Sequence, residues 1–166
     1  VAAADGPDGV PETEPADHEM TIRELMSHTG GLTYGLFSRS QVDSMYQAAN
    51  ILDANGTLKD MIDKLAEIPL RQQPGSLWHY SVSVDVQGYL VEVLSGQTFA
   101  EFLQQRLFDP LNMDDTGFAV PDSDRERFAT MYQSGQGGLT QPQDALGGDY
   151  REPVTFYGGG GGLVST

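Results

Sequence analysis

Pro74-Gly75-Ser76-Leu77-Trp78-His79-Tyr80-Ser81-Val82 is the stretch that organises this chain. Pro74-Gly75 is a tight-turn dipeptide. Leu77 to Tyr80 is an apolar and aromatic run long enough for one brief strand. Ser83 then offers a helix cap, and Val86, Leu90, Val93 and Leu94 come at three- and four-residue spacing until Gly96 closes the helix. A tyrosine at such a junction presents its phenol at a rim. The plainer reading makes Tyr80 a buried aromatic whose hydroxyl finds a partner.

Further segments place this stretch in a larger pattern. Working outward toward the N-terminus, Thr21 with Glu24 forms a capping box for a short helix with Ile22, Leu25 and Met26 inside, ending near His28 and stopped by Gly30-Gly31. A second helix begins after Ser40 and uses Val42, Met45, Tyr46 and Ala49. A third starts at Thr57, carries Leu58, Met61, Ile62, Leu65 and Ile68, and cannot pass Pro69. Toward the C-terminus, Thr98 with Glu101 opens a helix with Phe99, Phe102, Leu103 and Leu107 inside, ended by Pro110. Helical periodicity fades after Phe118. Asp122 to Arg127 is a charged surface segment, Phe128 to Tyr132 reads as a strand, and residues 134–150 read as a loop. Gly158 to Gly162 with Leu163-Val164 reads as a turn entering a helix that Ser165 or Thr166 caps.

Composition narrows the function classes. The chain has 166 residues, the length of one domain, with 24 acidic against 9 basic residues and a formal charge of -15. Phosphate binding needs clustered Lys and Arg, so nucleic acid and anionic membrane surfaces are excluded as partners. Without cysteine there are no disulfides, thiolate metal sites or Cys nucleophile. No apolar run reaches the length of a membrane span. Residues 1–19 carry six carboxylates, three prolines, two glycines and no Lys or Arg, and read as an acidic loop or arm; residues 20–166 form the second division of the chain. His18, His28 and His79 are too dispersed to suggest a metal site, and no phosphate-loop pattern fits Gly158 to Gly162, so neither metal nor cofactor is expected.

Four segments in order, Thr21 to Leu32, the Tyr80 stretch, Pro110 to Phe118 and Gly159 to Thr166, resemble the serine β-lactamase-like superfamily. It comprises class C β-lactamases, DD-peptidases and β-lactamase-like esterases. The resemblance runs from about Met20 to Thr166. It implies an α+β fold, of which this chain would be the mostly helical portion with few short strands and long loops, truncated at both ends. The family's proteins are often periplasmic or secreted and some are cytoplasmic, so the compartment stays open.

The family mechanism uses a Ser followed three residues later by a Lys. Gly56 precedes Lys59 and Met61 precedes Lys64 at that spacing, so no Ser-x-x-Lys occurs here. His28-Thr29-Gly30 imitates the family's third motif but stands too early; it reads as a helix-to-loop corner with His28 packing and hydrogen bonding. The second motif is present in altered form: Tyr80-Ser81-Val82 stands where lactamases and peptidases carry Tyr-x-Asn. The resemblance makes Tyr80 the catalytic candidate, assisting proton transfer. Trp78 and Val82 beside it are the candidate substrate-binding positions. Val82 removes a donor for the side-chain amide of a β-lactam or peptide, which tilts the reading toward carboxylic esters.

Ser81 and His79, with Asp85, are lesser catalytic candidates, although neighbouring strand residues point to opposite faces. Two readings therefore stand: part of an acyl-transferring serine hydrolase of ester type, or of a β-lactamase or DD-peptidase, with its nucleophile outside these residues; and, for the isolated chain, a non-catalytic helical scaffold or binding module. A helical portion with uncovered apolar stripes near Leu90, Phe99 and Phe102 is expected to form homo-oligomers when isolated.

Overall fold

The N-terminal starts of the helices show how closely local chemistry dictates this structure. The computed structural model describes residues 1–135, 137–140 and 150–166. Four helices, α1 (Ile22–Met26), α2 (Gln41–Ala48), α3 (Leu58–Ala66) and α5 (Phe99–Leu103), each begin with a reciprocal capping box. Thr21, Ser40, Thr57 and Thr98 accept from the N3 amides, and Glu24, Asp43, Asp60 and Glu101 bond back to the cap amides. Each box satisfies amides that a helix start otherwise leaves unpaired.

The longest helix, α4 (Ser83–Ser95), departs from that scheme. Its cap is Val82, which has no side-chain acceptor, and Ser83 is the first helical residue. The Ser83 hydroxyl instead pairs with that of Ser81 at 2.7 Å, buried beneath the helix start. Gly96 ends α4 in the left-handed region at φ 72°, as expected of a glycine stop. Gly88 marks a close approach: a side chain there would sit 3.3 Å from Leu58 and 3.4 Å from Phe99.

Leu25, Leu32, Val42, Tyr46, Ile51, Leu58, Met61 and Val82 form the main core, with Val86, Tyr89, Phe99 and Phe156 against it. α4 lies against α1, α3 and α5. Burial of these apolar side chains contributes on the order of 1.5–3 kcal/mol each before chain entropy is counted.

After α5 the chain widens into a π-turn (Gln104–Phe108) and then α6 (Asp109–Leu111), which Asn112 ends at φ 52°. The wider turn shifts the inward face by one residue. Leu107, expected inside, is 41% exposed, and Phe108 is buried at 5%. Phe99 and Phe102 are half-buried, as is Leu90, and the exposed large apolar side chains of this helical stretch are Val93, Leu94, Leu107 and Leu111.

Short strands complete an α+β arrangement. β1 (Ala2–Ala4) pairs antiparallel with β2 (Glu12–Thr13), so the N-terminal segment contains a small hairpin. Ala2 donates to the Leu70 carbonyl at 2.7 Å, and the Gln41 side chain makes two bonds to Gly6. Asp122–Arg127 forms a 3-10 turn. Residues 129–132 carry no strand; the hairpin β3 (Gln133–Gly135) and β4 (Gly138–Thr140) begins just beyond. Of the loop expected over 134–150, residues 136 and 141–149 lie outside the described residues. At the C-terminus Val164 bridges Gly117 through two backbone bonds, and Ser165 pairs with Thr116 at 2.7 Å.

Candidate functional site

The Pro74-Gly75 turn forms as the dipeptide dictates: Ser76 N–H reaches the Gln73 carbonyl at 3.1 Å, with Gly75 at φ 78°. Beyond the turn, residues 77–81 carry neither helix nor regular strand, and Val82, at φ -66° and ψ 16°, turns the chain into α4. Irregular backbone bonds tie them to the corner after α1, His79 N–H to the His28 carbonyl at 2.8 Å and Val82 N–H to the Thr33 carbonyl at 3.2 Å. The preceding stretch Arg71 to Gly75 is tied to Gly31 and Thr29 in the same way. The expected strand over Leu77 to Tyr80 is therefore a strap across residues 28–33.

The strap sends its side chains to different places. Tyr80 stands 42% exposed among aromatic neighbours. Its ring lies 5.3 Å from Tyr34 and nearly parallel, 5.8 Å from Phe37 and 5.1 Å from the His28 imidazole. Trp78 is 66% exposed and meets His28 edge to face, ring centroids 6.2 Å apart. Tyr80 is thus an exposed residue, and the plainer reading of a buried aromatic does not describe it. A hollow of about 440 Å³ lies elsewhere, lined by Asp115, Val120, Arg127, Phe128 and Leu163 among others, and Tyr80 does not line it.

His79 points away from Tyr80, as alternation along an extended chain requires. Arg71 donates to its Nδ1 at 3.1 Å, which leaves the proton on Nε2 to meet the Thr33 hydroxyl at 3.2 Å. Thr33 in turn donates to Asp43 Oδ1 at 2.5 Å. Burial and the Arg71 charge both push the His79 imidazole below its ordinary value, consistent with a neutral ring. Burial pushes the Asp43 carboxyl up, but hydrogen bonds from Ser38, Ser40 and Thr33 outweigh it and hold the group at about 2. His79 is a strut between Arg71 and the start of α2.

Ser81 is only 2% exposed. Its hydroxyl meets His28 Nδ1 at 3.1 Å and Ser83 at 2.7 Å, and its amide also donates to His28 Nδ1 at 3.3 Å. The structure therefore does not bring His79, Ser81 and Asp85 together as an acid-base-nucleophile group, and burial leaves Ser81 no access to a substrate carbonyl. His28 holds the strap's backbone and its own φ is 57°, a conformation uncommon outside glycine. Val82 has no exposed surface and belongs to the core, so it cannot touch a substrate directly. Trp78 has the opposite placement, on the open rim beside His28.

Residues not singled out from the sequence complete the rim. Tyr34 and Phe37 come after the glycine corner, where no local pattern distinguishes them from ordinary aromatics. Burial first, then the Asp85 charge and Tyr80, push the Tyr34 phenol up to about 12. Among the described residues no group of three or more His, Cys, Asp or Glu is arranged to hold a metal.

Known proteins resemble this chain in sequence and in fold. Esterase EstB of Burkholderia gladioli is 35% identical over 131 residues, covering 76% of this chain and 32% of that protein. Lovastatin esterase of Penicillium rubens is 30% identical over 161 residues, covering 96% of this chain and 40% of that protein. The solved structure of EstCE1, described as a hydrolase with promiscuous acyltransferase activity, superposes with a TM-score of 0.73 at 27% identity, over 88% of this chain and 42% of that one. The chain thus spans about a third to two fifths of the length of these relatives. The beta-lactamase family model matches residues 7–166, and the chain belongs to that family, within the serine β-lactamase-like superfamily.

Proposed function

We propose that this chain supplies the Tyr80 side of the active site of a serine hydrolase that acts on carboxylic esters by acyl transfer. The observation that carries the reading is the exposed Tyr80 phenol on an aromatic rim, at the position matching the family's catalytic tyrosine. The nucleophilic serine and its lysine lie outside these 166 residues. In the reaction the serine oxygen bonds to the ester carbonyl carbon, the leaving alkoxide departs, and Tyr80 relays the proton from the nucleophile to that alkoxide. Water then releases the acid, or a second alcohol takes the acyl group. Relatives named as esterases, and a structural neighbour described as a hydrolase with acyltransferase activity, support ester substrates.

Val82 supports esters over β-lactams and peptides through what it lacks. It fills the position of the family's amide-binding Asn with a wholly buried apolar side chain. Kinetics of the full-length protein carrying this sequence, on a short-chain acyl ester and on a chromogenic cephalosporin, test the reading. A larger kcat/KM for the ester is expected; a clearly larger value for the cephalosporin overturns it.

A second reading concerns the chain in isolation, where the absence of a Ser-x-x-Lys favours a non-catalytic helical module. Exposed Val93, Leu94, Leu107 and Leu111 support self-association in that state. Light scattering showing a monomer at high concentration would remove the self-association.

A further inference from the structure

Asp85 sits in the first turn of α4 and is 3% exposed, yet among the described residues no lysine or arginine pairs with it. Its partner is backbone. Gly160 N–H donates to Oδ1 at 2.9 Å, and Oδ2 is buried with no hydrogen-bond partner among the described residues. The glycine run closes tightly around this carboxylate. A Cβ on Gly158 would lie 3.1 Å from Oδ1, and one on Gly160 would lie 2.8 Å from Oδ2. On Gly159 it would lie 2.3 Å from the Val84 carbonyl oxygen, a distance that real atoms do not adopt. Residues 158–160 are therefore glycine because the chain passes against the backbone and side chain of the α4 start.

The same glycine backs the aromatic rim. A Cβ on Gly160 would lie 3.1 Å from the Tyr34 hydroxyl, and the Tyr34 ring stacks on Tyr80. Gly160 thus stands between the Asp85 carboxylate, to which it is hydrogen-bonded, and the Tyr34 hydroxyl, with too little room on that side for a side chain.

We propose that Asp85 is a positioning residue for Tyr80: its carboxylate clasps the 158–160 glycine run to the start of α4, and the clasped run sets Tyr34 against the Tyr80 ring. The proposal rests on the reading of Tyr80 as a working residue. It also accounts for a buried, otherwise unmatched carboxylate, a costly group to retain in a core without a role.

The test uses the full-length protein carrying this sequence, with Asp85→Ala and Asp85→Asn. Asparagine keeps a side-chain carbonyl able to accept from Gly160; alanine does not. Amide hydrogen exchange over residues 158–162 is read beside kinetics on p-nitrophenyl acetate. In Asp85→Ala, exchange is expected to quicken about tenfold and kcat to fall about tenfold with KM little changed. In Asp85→Asn both are expected within about threefold of wild type, since a neutral acceptor keeps most of the bond. Unchanged exchange in Asp85→Ala overturns the clasp. Faster exchange with unchanged kcat overturns the positioning role. If Asp85→Ala does not fold, Asp85→Ser, whose hydroxyl is too short to reach Gly160, is read in the same way. Full activity in Tyr80→Phe overturns the reading of the rim and the positioning role with it; the quickened exchange of Asp85→Ala persists in that case and separates the two failures.

Discussion

Tyr34 and Tyr80 lie ring on ring, 5.3 Å between centroids and 11° from parallel. One ring is half-buried with its hydroxyl beside Gly160, and the other is open to solvent. Removing the Tyr80 hydroxyl as Tyr80→Phe preserves the stack and deletes only the group proposed to carry the proton. In the full-length protein, ester turnover should fall by about 10²- to 10⁴-fold with KM little altered. Tyr34→Ala keeps the hydroxyl and removes its backing, and should cost about tenfold. Equal losses in both variants, measured with a short acyl ester, would mean that packing and not proton transfer limits the site.

Asp43 and Asp85 should shift acid stability in opposite directions. The Asp43 carboxyl is held at about 2, below its ordinary value, so its stabilisation is fully present above about pH 4 and is lost as pH falls toward 2. The stability gap between wild type and Asp43→Asn, measured by urea unfolding, should therefore narrow over that window.

Burial pushes Asp85 up, against the pull of the Gly160 and Gly159 amides and its own. An acid raised on folding lowers stability as pH climbs past the ordinary aspartate value of about 4. Wild type should lose ground to Asp85→Asn as pH rises through that region. A gap that moves the other way would show that the amide bonds outweigh desolvation.

The π-turn predicts an inversion between neighbours. Phe108→Ala should cost about 3–5 kcal/mol, since it empties a buried site. Leu107→Gln, although leucine is the residue that helical spacing places inside, should stay within about 0.5 kcal/mol of wild type. Thermal melts of the two variants decide whether the register shift is real.

The glycine run should not tolerate side chains uniformly. Gly159→Ala drives a Cβ to 2.3 Å from the Val84 carbonyl oxygen and must displace the loop, whereas Gly161→Ala meets nothing within 4 Å. Hydrogen exchange over 158–162 should quicken about tenfold in the first and change little in the second.

Much of the fold is legible in local chemistry. The Thr21–Glu24 and Thr98–Glu101 boxes, the starts of α2 and α3 and the Gly96 stop obey short-range rules, and the structure keeps to them. Ser83 is not the cap its position suggests, because a buried partner, Ser81, claims its hydroxyl, and sequence spacing carries no sign of that competition. Leu107 turns outward because π-widening has no signature in the apolar periodicity. Of the candidate site, the motif marks Tyr80, which the structure leaves exposed, and alternation along the chain separates His79 from it. Tyr34, Phe37 and the clasp on Asp85 arise from contacts between segments about 43 to 75 residues apart, which only the folded chain reveals. Val82 shows the converse: its place in the motif is plain, but its burial is not.

The four capping boxes also change the meaning of the chain's acidity. Glu24, Asp43, Asp60 and Glu101 are consumed as helix start signals, held by hydrogen bonds to hydroxyls and amides within their own first turns. Such bonds act over contact distance and are barely screened by salt, whereas the mutual repulsion behind a formal charge of -15 is long-ranged and falls off once the Debye length shortens to about 10 Å at 0.1 M. Ionic strength therefore acts on one half of the electrostatics and spares the other. A chain built this way gains from saline surroundings, as the repulsion is quenched while the signals that begin its helices stay intact.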